Sequence, residues 1–187
     1  MPGIDGSRQF IPLKIAVLTI SDTRALADDK SGATLVERAE KAGHAIAARA
    51  IVTDDVEVIR ARVKAWIADP AIDVIITTCG TGFTGRDVTP EAIEPLFEKR
   101  MDGFSALFLI VSHAKIGTSA IQTRATAGVA CATYIFCLPG SPGACRDAWD
   151  EILVHQLDYR YRPCNFVEIM PRLDEHLRRP KAQGATA

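Results

Sequence analysis

Three short, mostly apolar runs, LKIAVLTI (residues 13–20), AIAARAIV (45–52) and DVIITT (73–78), alternate with segments whose apolar residues recur at helical spacing. The unbroken third run suits a parallel strand covered on both faces, and helical segments between such strands supply the crossovers that parallel pairing requires. The alternation predicts an α/β layered fold with a largely parallel sheet.

The helical segments carry their own start and stop signals. Ser31 can cap a helix over residues 32–42 that buries Leu35, Val36, Ala39 and Ala42 and stops at Gly43. Asp54 and Glu57 have capping-box spacing before Val56, Ile59, Val63, Trp66 and Ile67, with Asp69-Pro70 as the exit. Thr89 and Pro90 open a third helix through Ile93, Leu96 and Phe97. FSALFLIVS (104–112) fits a buried strand or an inward-facing helix, because so short a run does not separate the two periods. TSAIQTRATAG reads as helical, CATYIFCLPG as a strand, and Ser141-Pro142 opens a helix carrying Ala148, Trp149, Ile152 and Leu153.

A chain of 187 residues supports one core rather than two. Lys plus Arg (22) nearly balance Asp plus Glu (23), and aromatics are only 6%, which argues against a nucleic-acid surface. The five cysteines lack a C-x-x-C pair, so neither a disulfide scaffold nor a structural zinc site is expected, and a reducing cytoplasm is the economical compartment. Cys131 and Cys137, which flank a strand-like run, are expected to be buried. No signal peptide is read at the N-terminus, and the longest apolar run, residues 106–111, is far below the roughly 20 residues needed to cross a bilayer.

Function-bearing residues gather at the expected C-terminal strand ends, in SDTRA, TDD, TTCGTG and LPGSP. In CGTG, Gly80 and Gly82 permit a tight turn whose amides can approach an anion, with the Thr81 hydroxyl between them; a plain structural turn is the alternative. The loop is neither a Walker cradle nor a dinucleotide fingerprint. Residues 139–143, with Pro139, Gly140 and Ser141 first, read as a second turn of the same character, with a plain capped βα turn as the alternative and Arg146 facing either an anion or solvent. Asp54, Asp55 and Asp87 are hard-oxygen candidates for magnesium beside a polyphosphate, Asp87 following Arg86 directly; Asp54 or Asp55 could equally be only a helix cap. Cys79 as a nucleophile would need a base, for which His113 is the one attractive partner; inert packing is the favoured alternative.

Taken in order, KIAVLTISDTR, AGH, TTCGTGFTGRDVTPEAI, IGTSAIQTRATAG and LPGSPGACRDAW resemble the MoaB/Mog family of molybdenum cofactor biosynthesis proteins, which is similar to the gephyrin G domain. PGSPGACRDAW followed by RPCNF is closest to the B-type branch. The resemblance covers residues 10–168, leaving 1–9 as a flexible N-terminus and 169–187 as a C-terminal tail whose last ten or so residues are expected to fray.

The resemblance implies a three-layer α/β/α molybdopterin-binding fold, a homotrimer or homohexamer, and contact with other proteins of the pathway. It implies Mg-ATP-dependent adenylylation of molybdopterin, with AMP passing to the terminal phosphate and pyrophosphate released. The alternative is a non-catalytic molybdopterin-binding or assembly protein. By the same resemblance Asp87 with Asp54 or Asp55 is catalytic, and magnesium sits on Asp87 and Asp54. The ligand is held by Thr78, Cys79, Gly80, Thr81, Gly82, Arg86, Ser119, Arg124, Pro139, Gly140 and Ser141, with Thr123 and Arg124 at the family's Ser-Arg pair. Three places depart from the pattern. Cys79 replaces a glycine, Ala106 and Leu109 replace a glutamate and an arginine, and Lys115 replaces an acidic residue.

Overall fold

The computed structural model describes residues 1–178. In chain order the elements are β1 (Gly3–Ile4), β2 (Lys14–Ile20), α1 (Lys30–Lys41), β3 (Ala45–Val52), α2 (Val56–Ile67), β4 (Val74–Thr78), α3 (Thr89–Ile93), β5 (Lys99–Arg100), α4 (Asp102–Ile116), β6 (Thr126–Ala130), β7 (Thr133–Leu138), α5 (Pro142–Ala148) and β8 (Tyr161–Arg162). Six strands form one sheet in the order β3-β2-β4-β7-β6-β5. β3, β2, β4 and β7 are parallel, while β6 and β5 close one edge antiparallel.

Both faces are covered, which is why the central strands carry apolar residues at both odd and even positions. Ile15, Val17, Val74, Ile76, Tyr134 and Phe136 point into one core with Leu35, Phe108 and Trp149. Ala16, Leu18, Ile20, Ile75, Ile135 and Cys137 point into the other with Ile59, Val63, Trp66 and Ile93. Odd and even residues of one strand therefore feed opposite layers, as period-two alternation demands, and the result is the expected three-layer α/β/α fold.

Several local expectations are corrected. Residues 126–128, read as the end of a helix, belong to strand β6, paired antiparallel to β7; only Gly117–Gln122 is helical there, as 3₁₀ turns. A run of small residues has no helical period of its own, and the open edge of β7 decides its state. The N-cap of α1 is Asp29, not Ser31, and the cap of α2 is Asp55, not Asp54. Residues 104–112 belong to α4, whose Phe104, Phe108 and Ser112 are buried against the sheet. With the turns that follow, Asp102–Gln122 is long and apolar enough to cross a membrane by length and composition, unlike the short run expected. Cys131 is exposed in the β6–β7 turn at φ +45°, whereas Cys137 is buried.

The N-terminus is not free at residues 1–9: Gly3–Ile4 pairs with Tyr161–Arg162, and Arg8 bonds Glu168 at 3.1 Å and lies over the Tyr159 ring. In the tail, Met170–Arg172 and Glu175–Arg178 are helical, and residues 179–187, where fraying was expected, lie outside the described residues.

Candidate functional site

The chain leaves β2 for β3 on one side and returns through α2 to β4 on the other, so a crevice opens beyond the C-terminal ends of these strands. It measures about 440 Å³ and is lined by Arg24, Cys79, Gly80, Thr81, Gly82, Asp87, Gln122, Thr123, Pro139, Gly140 and Ser141.

Two turns form its floor. Cys79 N–H donates to Leu138 O at 3.0 Å, joining the turn after β4 to the end of β7, and the Thr78 hydroxyl donates to Pro139 O at 2.9 Å. Thr78 is thus a buried tie between the turns rather than a ligand contact. Gly80 has φ +66°, and a Cβ on it would lie 2.2 Å from Thr89 Oγ1, so this position admits only glycine. Among the described residues the N–H groups of Gly80, Thr81, Gly140 and Ser141 meet no acceptor. Four unspent amide donors beside a crevice are what an anion needs.

Asp87 lines the crevice and is braced by its own loop: Oδ2 accepts from Thr84 N at 2.9 Å and Thr84 Oγ1 at 2.7 Å. Burial works against its ionisation, but the Thr84 and Gly82 hydrogen bonds and the Arg124 charge outweigh it, holding its pKa below the ordinary carboxylate value. Asp54 is shifted the other way, raised by burial and by the Asp87 charge and partly relieved by Arg24. Its Oδ2 accepts from Asp22 N and its own N–H donates to Asp22 Oδ1, both at 3.1 Å.

Two carboxylates that feel each other's charge suit a magnesium ion arriving on a polyphosphate, which commonly takes only one or two protein carboxylates. They do not suit an all-protein cage, and no three such donor groups gather among the described residues. Asp55 is not part of this pair, because its Oδ1 is spent on the N–H groups of Glu57 and Val58.

Other expected ligand contacts lie elsewhere. Arg86 is exposed and paired with Asp22. Arg124 sits behind the loop: Nε donates to Gly82 O at 2.8 Å, Nη2 to Asp87 O at 2.6 Å, and Nη1 pairs with Glu91, while the guanidinium lies 5.5 Å from the Phe83 ring centroid. It shapes the Asp87 loop instead of facing the crevice. Ser119 is exposed on the 3₁₀ turns, where Gln122 and Thr123 reach the crevice instead, and Arg146 is exposed outside it. Thr123 Oγ1 is 3.2 Å from Thr81 Oγ1.

The departures also find their places. Cys79 carries its side chain at φ +82°, the left-handed geometry that costs a non-glycine residue about 1 kcal/mol. Burial pushes its thiol pKa up against the opposing Arg24 charge, and His113 lies in an apolar hollow with Leu109, Ile110, Ala120 and Ile121, so no Cys-His pair forms. Ala106 and Leu109 line a separate hollow of about 500 Å³ that shares Thr123 with the crevice. Lys115 pairs with Asp147 at 2.9 Å and Glu151 at 3.1 Å. Sequence reasoning flagged the SDTRA loop but gave Arg24 within it no role of its own.

Comparison with known proteins agrees with the α/β/α fold. A family described as "Probable molybdopterin binding domain" matches residues 16–159. The chain is 49% identical over 160 residues to "Molybdenum cofactor biosynthesis protein B" of Escherichia coli (strain K12), covering 86% of this chain and 94% of that protein. It is 41% identical to the protein of the same name from Bacillus subtilis (strain 168), covering 80% and 89%. A crystal structure of molybdenum cofactor biosynthesis protein B superposes with a TM-score of 0.81 at 36% identity, covering 90% of this chain and 99% of that one. The tungsten cofactor synthesizing protein MoaB from Pyrococcus furiosus gives 0.68 at 36% identity, covering 76% and 91%. With a family match across most of its length and relatives this similar over nearly their whole chains, the protein belongs to the MoaB/Mog family of molybdopterin-binding proteins.

Proposed function

We propose that this protein serves molybdenum cofactor biosynthesis as a cytoplasmic molybdopterin-binding protein that holds its ligand without adenylylating it. The observation that carries the binding half is that Gly80, Thr81, Gly140 and Ser141, whose N–H groups meet no acceptor among the described residues, line one crevice. Such fixed donors accept a phosphate without reorganisation, because the turns that aim them are tied together by Thr78 and Cys79. The relatives above supply the pathway and the name "protein B".

Against turnover stands the polar inventory. Adenylyl transfer brings two polyanions together, so the protein must hold both and offset their repulsion. The family's glutamate and arginine are here Ala106 and Leu109, beside a hollow that opens apart from the amides. The reading expected first, Mg-ATP-dependent adenylylation, retains one observation in its favour: the mutual field of Asp54 and Asp87. In that reading the two carboxylates would hold magnesium, whose charge would neutralise the facing phosphates.

Incubating the protein with molybdopterin, ATP and magnesium separates the two. We expect the pterin to stay bound and no adenylylated pterin or pyrophosphate to form. Magnesium-dependent product that vanishes in Asp87→Ala would establish the enzyme instead.

Homo-oligomerisation is part of the same proposal. Leu107, Leu109, Ile110, Ile116 and Ile121 are exposed along α4 and the turns after it, an apolar strip that a neighbouring copy would cover. In light scattering the wild type is expected at trimer or hexamer mass, and Ile110→Glu with Ile121→Glu at monomer mass. An unchanged mass in the double variant would place the contact elsewhere.

A further inference from the structure

Arg24 stands out among the arginines around the crevice for the weakness of its partners. Arg86 is paired with Asp22, Arg49 with Asp29 and Arg124 with Glu91. Arg24, exposed on the loop after β2, donates Nη1 to Cys79 Sγ at 3.2 Å and Nη2 to Gly140 O at 3.5 Å. A half-buried thiol whose pKa burial raises and a carbonyl at the limit of hydrogen-bond distance are poor acceptors for a guanidinium with five donors. Among the described residues it makes no direct ion pair, its field reaching Asp54 only at longer range, so its donors stay available at the lining of a crevice whose floor amides are also unspent.

Cys79 explains why the side chain lies there. The sulfur projects toward Gly140, where a Cβ would come within 2.7 Å of it, so the glycine leaves room for the thiol and the thiol gives the guanidinium a resting place. A residue held at φ +82° against its steric preference persists only where its surroundings fix it, and such positions cluster at ligand sites.

We propose that Arg24 is the residue that grips the phosphate of the bound pterin, and that Cys79 is a positioning residue that parks the guanidinium over the two turns. On binding, Arg24 exchanges a thiol and a long carbonyl contact for charged oxygens, which it can meet in a bidentate fork. The loss of a glycine at residue 79 is then compensated by a cation brought to the phosphate. This inference rests on the crevice being the pterin site, as proposed above.

The test compares molybdopterin with the same pterin after removal of its phosphate, titrated anaerobically into the full chain. We expect wild type to prefer the phosphorylated ligand, and Arg24→Gln to lose roughly 10- to 100-fold in affinity for it while changing little for the dephosphorylated one. Arg24→Lys should recover part of the loss, because it restores the charge without the fork. Cys79→Gly should weaken only the phosphorylated ligand, and Cys79→Ser, which keeps an acceptor, should weaken it less. Arg24→Gln binding molybdopterin within about twofold of wild type, or losing both ligands equally, would overturn the assignment of Arg24 and leave the crevice reading standing. Wild type binding neither ligand would bring down the crevice reading and this inference together.

Discussion

Asp29→Ala is expected to lower the unfolding free energy by about 3 kcal/mol, the scale for stripping one partner from a buried ion pair. Asp29 is 1% exposed, and its carboxylate holds three elements at once. Oδ2 accepts from Thr19 Oγ1 of β2 at 2.7 Å and from Arg49 Nη2 of β3 at 3.0 Å, while Oδ1 accepts from Gly32 N at 2.9 Å as the cap of α1. Gly32 is bound to this arrangement, because a Cβ there would lie 2.1 Å from Asp29 Oδ2. Removing the carboxylate strands the Arg49 charge and uncaps the helix whose Ser31 hydroxyl donates to Gly140 O at 2.7 Å. Denaturant titration of Asp29→Ala, Arg49→Met and the double variant isolates the pair. A double variant more stable than Asp29→Ala alone is the expected result, and a loss below about 1 kcal/mol in Asp29→Ala would refute it.

The second large effect is a loss of stability in mild acid caused by His44. This imidazole is buried behind Gly43, accepts from Leu13 N–H through Nδ1 at 3.2 Å, and packs between Phe10 and Trp149. Burial lowers its pKa from 6.5 to about 4 despite the opposing charge of Asp158. Between those values the unfolded chain binds a proton that the native one refuses. The stabilising contribution is therefore complete above pH 6.5 and is lost as pH falls toward about 4. From pH 7.5 to pH 5 the loss should be roughly 2 kcal/mol. His44→Gln, which keeps an acceptor and does not titrate, should show an acid loss smaller by about that amount; equal losses in both proteins would contradict the assignment.

How much of this was legible in the sequence depended on whether the deciding interactions were local. β2 and β4 were readable because their apolar runs are the direct imprint of layers on both faces, whereas β3, half-buried at the sheet edge, showed only as a short apolar run between two helices. The CGTG and PGS turns were readable because glycine beside a strand end has a specific steric meaning. The cap of α1 was not, since ADDKSG offers several capping residues and the choice of Asp29 is made by Thr19 and Arg49 from two other strands. Thr126–Ala130 is a strand because β7 presents an edge to it, which no local period announces.

The site divides along the same line. Asp87 and the two turns announced themselves by motif. Arg124 fell within a recognised motif, yet its direction, toward Gly82 O and Asp87 O behind the loop, is a property of the folded loop alone. The SDTRA loop was flagged by its place after β2, but nothing local singled out Arg24 within it, because what distinguishes it is a sulfur 55 residues further along the chain.

The central claim is that amides from the turns after β4 and β7 jointly receive a phosphate. A crystal structure of the protein grown with molybdopterin tests it most directly. The account predicts pterin density in the crevice with phosphate oxygens within hydrogen-bond distance of the Gly80 or Thr81 and the Gly140 or Ser141 N–H groups. Pterin bound in the hollow beside Ala106 and Leu109, or with its phosphate turned to solvent away from these amides, would contradict it.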